Sequence, residues 1–489
     1  MSEPKRLHPI AAVSNVFKEL KNLILPLVLV FFVNNKPKVE FWDYLPMIGM
    51  GVLILFLLVS GVVKWLRFAY WVEEGELRIE YGLFVKKKRY IPIERIQSLD
   101  ISEGILQQMF GLVKLTIETA GSSDPTKSEA ELTAITKEEA TALKEMISRE
   151  KHRSNAEIEQ QEETEEVQET TKVVYKAKLS ELLLLAATSG GVGVVISAVV
   201  AFLSQFDELI PYEKVFEEAS RFIEYGVFFI SIVVFVVLFI AWVISVILTL
   251  LKYQDFTLEM NDEHIVIQRG LLEKRQITIP FSRIQGITIV ENPLRQLAGY
   301  CSVQLESAGG AAPAEESASI ILLPMIKKES AIYLLKDIFP NYSFSDQFCP
   351  APKKARGRYV LRKSYYVILP IIGVSWYFWP NGLWSSALVL LAVAYGMSCY
   401  RAAGWLLTED QLTIRYRRLN RCTVMMKKAY IQSVSLTQTP WQKKKELVSF
   451  SAVIKSGAVG KKSKMIDASI ADAHSVYQWY KRDDKNKCG

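Results

Sequence analysis

Ile91-Pro92-Ile93-Glu94-Arg95-Ile96-Gln97 decides how this chain is read, because Ile279-Pro280-Phe281-Ser282-Arg283-Ile284-Gln285 repeats it 188 residues on. The match extends outward at constant spacing. Gly82-Leu83, Leu106, Gly111 and Ala120-Gly121 flank the first copy; Gly270-Leu271, Leu294, Gly299 and Ala308-Gly309 stand at the same distances around the second. A third, more divergent copy keeps Ile431-Gln432, Pro440-Trp441 and Ser456-Gly457, with Lys427 and Tyr430 in place of the proline and arginine. Repetition on this scale marks a duplicated structural unit. The 489 residues accommodate three such units at roughly 150 residues each.

Hydrophobic residues make up 50% of the chain, yet 23% are charged, so the apolar residues must be gathered into runs. That segregation predicts membrane spans alternating with soluble modules. The five cysteines, Cys301, Cys349, Cys399, Cys422 and Cys488, show neither a CxxC pair nor a regular framework. They argue against a disulfide scaffold and against a zinc site. Lys5, Arg6, Lys18 and Lys21 precede the first apolar run, and no small-residue cleavage site follows it, which predicts a retained anchor.

One pair of apolar runs precedes each repeat: residues 16–33 and 44–63, then 179–206 and 226–251, then 364–379 and 383–399. Each is near the ~20 residues a helix needs to cross a bilayer, so six spans in three hairpins are expected. Paired spans return the chain to the side it left. Lys64, Arg67, Lys172, Lys176, Lys178, Lys252, Lys353, Lys354, Arg356, Arg358, Arg362, Lys363 and Arg401 flank the repeats, whereas the 205–225 loop opposite carries six acids against Lys214 and Arg221. The positive-inside rule then makes the repeats cytoplasmic.

Within each repeat, period-two alternation (Leu77, Ile79, Tyr81; Ile265, Ile267; Leu412, Ile414, Tyr416) predicts strands. Gly82 and Gly270 suit a hairpin turn, a short helical turn is expected near Leu106–Phe110, and amphipathic helices close the repeats at 137–149, 327–339 and 471–480. Six or seven strands and one helix in ~90 residues describe a bent antiparallel sandwich or barrel plugged by a helix. Glu157 to Glu169, with seven glutamates and no base, reads as a disordered linker. The expected fold class is therefore a membrane α-helical protein combined with mainly β modules. Its boundaries are hairpin 1–64, module 65–152, acidic linker 153–175, hairpin 176–252, module 253–342, hairpin 343–400 and module 401–489.

Two spans followed by a small domain with the Ile-Pro-x-x-Arg-Ile-Gln motif resemble the bacterial pleckstrin-homology-like (PH-like) domain of the YdbS/YdbT membrane proteins, and three such units are similar to the YdbT branch. The resemblance implies a pleckstrin-like sandwich, a plasma-membrane location and a companion membrane protein with a single PH-like module. It also implies a role in resistance to membrane-active peptides or bacteriocins, and no defined enzymatic activity.

The motif residues Pro92, Arg95, Gln97, Pro280, Arg283 and Gln285 read first as structural. Proline suits a strand edge and the arginine fork can bind carbonyls or a carboxylate, with anion or head-group binding as the other reading. Candidate lipid- or partner-binding residues are Lys86, Lys87, Lys88 and Arg89; Arg415, Arg417, Arg418 and Arg421; and Lys443, Lys444 and Lys445. From Arg401 onward 18 Lys and Arg face 7 Asp and Glu, an excess above the +7 of the whole chain. Beside an anionic leaflet each base contributes about 1 kcal/mol, although a solvated face beside a membrane explains such clusters too. No nucleic-acid motif is present. His8, His152, His264 and His474 lie far apart, with no HExxH, GxSxG or GxxxxGK[ST], so no catalytic residue, cofactor or metal is expected. Two functions remain open: a non-enzymatic scaffold whose modules bind a partner protein and anionic lipid, or a component of an export complex for membrane-active peptides.

Overall fold

A computed structural model of the chain describes residues 4–16, 20, 45–119, 129–156, 172–191, 193, 195–197, 227–308, 319–377, 385–457 and 460–481. The described residues before Phe281 form one compact unit and those from Phe281 onward a second.

In the first unit, helix α1 (Leu45–Leu66) leads into a three-stranded antiparallel sheet of β1 (Ala69–Glu73), β2 (Glu76–Tyr81) and β3 (Lys87–Pro92). Alternation sorts its faces: Leu77 and Ile79 are buried, while Arg78 and Glu80 keep contact with solvent. The chain then turns into β4 (Ile96–Glu103), the short helix α2 (Ile105–Met109), β5 (Leu112–Thr119), β6 (Ala130–Thr136) and α3 (Lys137–Ala156). Ala140, Leu143 and Ile147 recur at helical spacing on α3, and they close a core that includes Leu77, Ile91, Leu115, Ile117 and Leu132. Burying each large aliphatic side chain contributes roughly 1.5–3 kcal/mol.

The second repeat begins in the same unit with β7 (Lys172–Lys176), α4 (Leu179–Thr188), α5 (Val227–Tyr253), β8 (Thr257–Met260), β9 (His264–Arg269) and β10 (Lys274–Pro280). Here the structure departs from three separate sandwiches. β10 pairs antiparallel with β4, setting Lys274 opposite Glu103 and Gln276 opposite Ile101, so one seven-stranded sheet runs β6-β5-β4-β10-β9-β8-β7. An unpaired strand edge is a liability, and each of these two covers the other.

The second unit repeats the plan. It contains β11 (Ile284–Glu291), α6 (Pro293–Leu297), β12 (Tyr300–Ser307), β13 (Ile320–Lys327), α7 (Lys328–Ile338), β14 (Cys349–Pro350), α8 (Arg356–Tyr377) and α9 (Ala387–Ala402). β15 (Gly404–Leu407), β16 (Gln411–Arg417), β17 (Arg421–Lys427), β18 (Ile431–Thr437), α10 (Pro440–Lys443), β19 (Leu447–Ile454), β20 (Lys461–Ser469) and α11 (Ile470–Tyr480) follow. β11 pairs with β17, with Glu291 opposite Arg421, inside a sheet ordered β13-β12-β11-β17-β16-β15-β14; β18-β19-β20 form a separate sheet.

Short strands just ahead of the helices are a feature the sequence did not announce. Lys5 pairs with Tyr70, Lys176 of β7 with Thr257, and Cys349 of β14 with Trp405. Residues 172–176, grouped by sequence with the linker and hairpin, thus belong to the sheet. Each helical excursion leaves and re-enters beside itself. Two described helices are long and apolar enough to cross a bilayer, Ile48–Leu66 and Ser231–Tyr253, with only 11% of each apolar window buried; Leu179–Thr188 and Ala387–Ala402 are shorter apolar helices. Most of the expected first span (16–33), residues 198–226 and the acidic stretch Glu157–Glu169 lie outside the described residues.

Candidate membrane-contact surface

The Ile-Pro motif is the corner at which the chain leaves one sheet for the next. Pro92 ends β3, Ile93–Arg95 make one 3-10 turn, and Ile96 opens β4. Ile91, Ile93 and Ile96 are buried, and the Ile93 amide donates to the Gly75 carbonyl at 2.9 Å. Arg95 is exposed at this corner and Gln97 lies one step into β4. Phe281–Arg283 make the equivalent turn after Pro280. Arg283 fastens the far end of β12: its Nε donates to the Ala308 carbonyl at 3.0 Å while the Ala308 amide donates to the Arg283 carbonyl at 2.9 Å. Gln285 is half-buried in β11. In the third repeat Lys428–Tyr430 still form the turn, with the Lys428 amide donating to the Asp410 carbonyl at 2.8 Å, so neither proline nor arginine is needed for it.

The basic residues separate into fastened and exposed groups. Lys86 and Lys88 both reach Glu80, at 2.5 and 2.9 Å, which holds that carboxyl below its usual range and the Lys88 ammonium above its own. Arg89 donates to the Glu129 carbonyl, and Lys87 is exposed. In the third repeat Arg421 forks onto both oxygens of the buried Glu291. Arg417 donates to Gln296, and Arg415 lies 4.1 Å over the Phe348 ring with its Nε on the Ala402 carbonyl at 3.0 Å. Burial, then the neighbouring Arg421 charge, lowers the Arg415 pKa. Only Arg418 of this group is exposed. Lys443, Lys444 and Lys445 are all exposed, and Lys444 sits 5.4 Å over the ring of Trp441, itself 70% exposed.

Sequence reasoning picked out the charge of the first cluster and passed over the apolar tip beside it. The β2–β3 hairpin tip presents Phe84 and Val85 to solvent, 82% and 70% exposed, immediately before Lys86. This tip touches a helix long enough to cross a membrane: Arg67 Nη1 donates to the Leu83 carbonyl at 2.7 Å, one residue past α1. The β9–β10 tip is tied likewise to α5, the Leu271 amide donating to the Leu251 carbonyl at 2.9 Å. Gly82 and Gly270 hold φ of 136° and 103° there, and a Cβ at either would meet the carbonyl oxygen of Val85 or Glu273 at 2.0 or 2.1 Å. Among the described residues no three His, Cys, Asp or Glu side chains are grouped to hold a metal ion.

Three copies of a six-stranded unit closed by a helix, each entered through helices, define a tandem pleckstrin-type architecture. The bacterial PH domain profile matches residues 23–151, 195–340 and 365–484, and the chain belongs to this family, in its YdbT-like branch. It is similar to the UPF0699 transmembrane protein YdbT of Bacillus subtilis (strain 168), with 38% identity covering 98% of each chain.

Proposed function

We propose that this protein is a non-enzymatic, polytopic protein of the bacterial plasma membrane. Six helices in three hairpins (within 1–64, 176–252 and 343–400) hold PH-type modules 65–152, 253–342 and 401–489 against the cytoplasmic leaflet. There the modules bind anionic lipid and a companion membrane protein carrying one PH-type module. One observation carries the reading: β4 is hydrogen-bonded to β10 and β11 to β17. Strands of one sheet cannot lie on opposite sides of a bilayer, because a spanning structure must satisfy its backbone within helices or closed barrels. The pairings of Lys5 with Tyr70, Lys176 with Thr257 and Cys349 with Trp405 support helical excursions that cross an even number of times. The basic flanks support the cytoplasmic side, and the relative's designation as a transmembrane protein agrees with the location. Tethering lets weakly binding modules stay occupied through raised local concentration, and the cellular role proposed is resistance to membrane-active peptides.

Impermeant maleimide labelling tests the topology. Cys349, exposed beside the third module, should react only after permeabilisation, whereas a cysteine introduced between residues 205 and 225 should react in intact cells. Labelling of Cys349 from outside would overturn the proposal.

A further inference from the structure

The lysine clusters leave unexplained why the hairpin tips are apolar. In the first unit Gln108 of α2 donates through Nε2 to the carbonyls of Leu271 and Leu272, at 3.2 and 3.0 Å. This bond sets the short helix of repeat one against the hairpin tip of repeat two, which is itself tied to the last turns of α5. Met109 and Phe110, 74% and 58% exposed, thus stand beside half-exposed Leu271 and Leu272 at the end of a spanning helix. The second unit repeats the combination: Gln296 of α6 accepts from Arg417 at the edge of the β16–β17 hairpin, and Leu297 and Leu419 are 88% and 69% exposed. Apolar side chains thus recur at the short helix and hairpin tip of each unit; in the first unit they stand at the ends of α1 and α5, and at Phe84 and Val85 lysines follow directly, the composition of an interfacial membrane anchor.

We propose that the hairpin tips and short helices of the repeats are bilayer-interface anchors. Phe84, Val85, Met109 and Leu297 enter the boundary between phospholipid head groups and acyl chains, and exposed Lys87 faces the head-group phosphates together with the partly exposed ammoniums of Lys86 and Lys88, which share Glu80. The occupant is the bilayer in which each unit's own apolar helices stand. Apolar insertion sets depth and orientation, and the lysines add preference for anionic lipid. The spanning helices fix where the modules are, and the anchors fix how they are turned. This rests on the membrane reading above, and the test separates the two.

The full chain, with its exposed native cysteines replaced, is spin-labelled singly at Phe84→Cys, Met109→Cys or Leu297→Cys. Two references are Phe239→Cys, on the exposed face of α5, and Tyr333→Cys, 78% exposed on α7. Collision of each nitroxide with oxygen and with a water-soluble nickel chelate is measured in nanodiscs of phosphatidylcholine and phosphatidylglycerol. At the three anchor sites the oxygen-to-nickel ratio should exceed that at Tyr333 by roughly threefold or more, and lie below that at Phe239. Anchor sites as open to nickel as Tyr333, with Phe239 still oxygen-rich, would overturn the anchors and leave the membrane reading standing. A nickel-accessible Phe239 would overturn both. The labelled positions are exposed, so substitution there removes no core contact, and an unchanged circular dichroism spectrum checks the fold.

Discussion

Arg421 and Glu291 stand opposite each other where the second repeat joins the third, and their side chains are only 19% and 5% exposed. A nearly buried carboxylate is stable there because a guanidinium fork supplies two charge-assisted bonds. Removing the acid alone leaves Arg421 uncompensated beside Arg415, whose charged form burial already disfavours. Glu291→Gln should therefore cost about 3 kcal/mol in denaturant unfolding, while Glu291→Gln combined with Arg421→Met should cost clearly less than the sum of the single changes. Additive losses would mean that the fork is not the source of the stabilisation. A second residue-scale contrast lies in the cysteines. Cys301 is fully buried, and burial, with the Glu291 charge adding to it, pushes its thiol up to about 12. The thiolate is the reactive form, so at pH 8 a permeant maleimide should modify exposed Cys349 and spare Cys301 until the protein unfolds, as peptide mass mapping would reveal.

Helix α8 shows how an element is held by residues far along the chain. Arg358 and Arg362 both bind Asp467, at 3.1 and 2.6 Å, and Tyr359 donates to the Ile466 carbonyl at 2.7 Å. Asp467 is fully buried, is also reached by Gln442 at 2.7 Å, and sits at φ 56°. Asparagine tolerates that backbone, so Asp467→Asn tests charge rather than conformation. It should free the first two turns of α8 from the third module, seen as faster amide exchange over residues 356–363, and lower stability by roughly 3 kcal/mol. Exchange unchanged across those residues would show that Tyr359 and packing suffice. Much at this scale was legible in the sequence: the closing helices and the glycine turns each have a local signature, and the Ile-Pro motif was legible as structural, though not as the corner between two sheets. Strands β7 and β14 were not, since five residues and two residues carry too little period to stand out beside strongly apolar helices. The membrane-side tips were missed for another reason. Leu83, Phe84 and Val85 form a short apolar run just before a basic stretch, and only the exposure of Phe84 and Val85 beside α1 separates them from core positions.

At the scale of the whole molecule, repeats and packing run out of phase. The sequence divides before each helical hairpin, yet compactness divides the chain at Pro280–Phe281, inside the second copy of the motif. The cause is the pairing of β4 with β10 and of β11 with β17, which no local pattern announces because the partners lie in different repeats. The third module is therefore not free-standing, although its sequence suggests an independent domain. Severed from residues 1–400, β17 loses β11 along its outer edge, Arg421 loses Glu291, Lys461 loses the buried Glu306 at 3.0 Å, and Asp467 loses both arginines of α8. Edges exposed in this way invite association, and an acid left buried without its base costs several kcal/mol. Residues 401–489 alone should accordingly be marginally folded and prone to aggregate, whereas a fragment beginning at Phe281 keeps all of these contacts and should unfold cooperatively. Size-exclusion chromatography and thermal circular dichroism in the same mild detergent compare the two. A monomeric 401–489 that melts as sharply as the longer fragment would show that the shared sheet adjoins the modules without stabilising them.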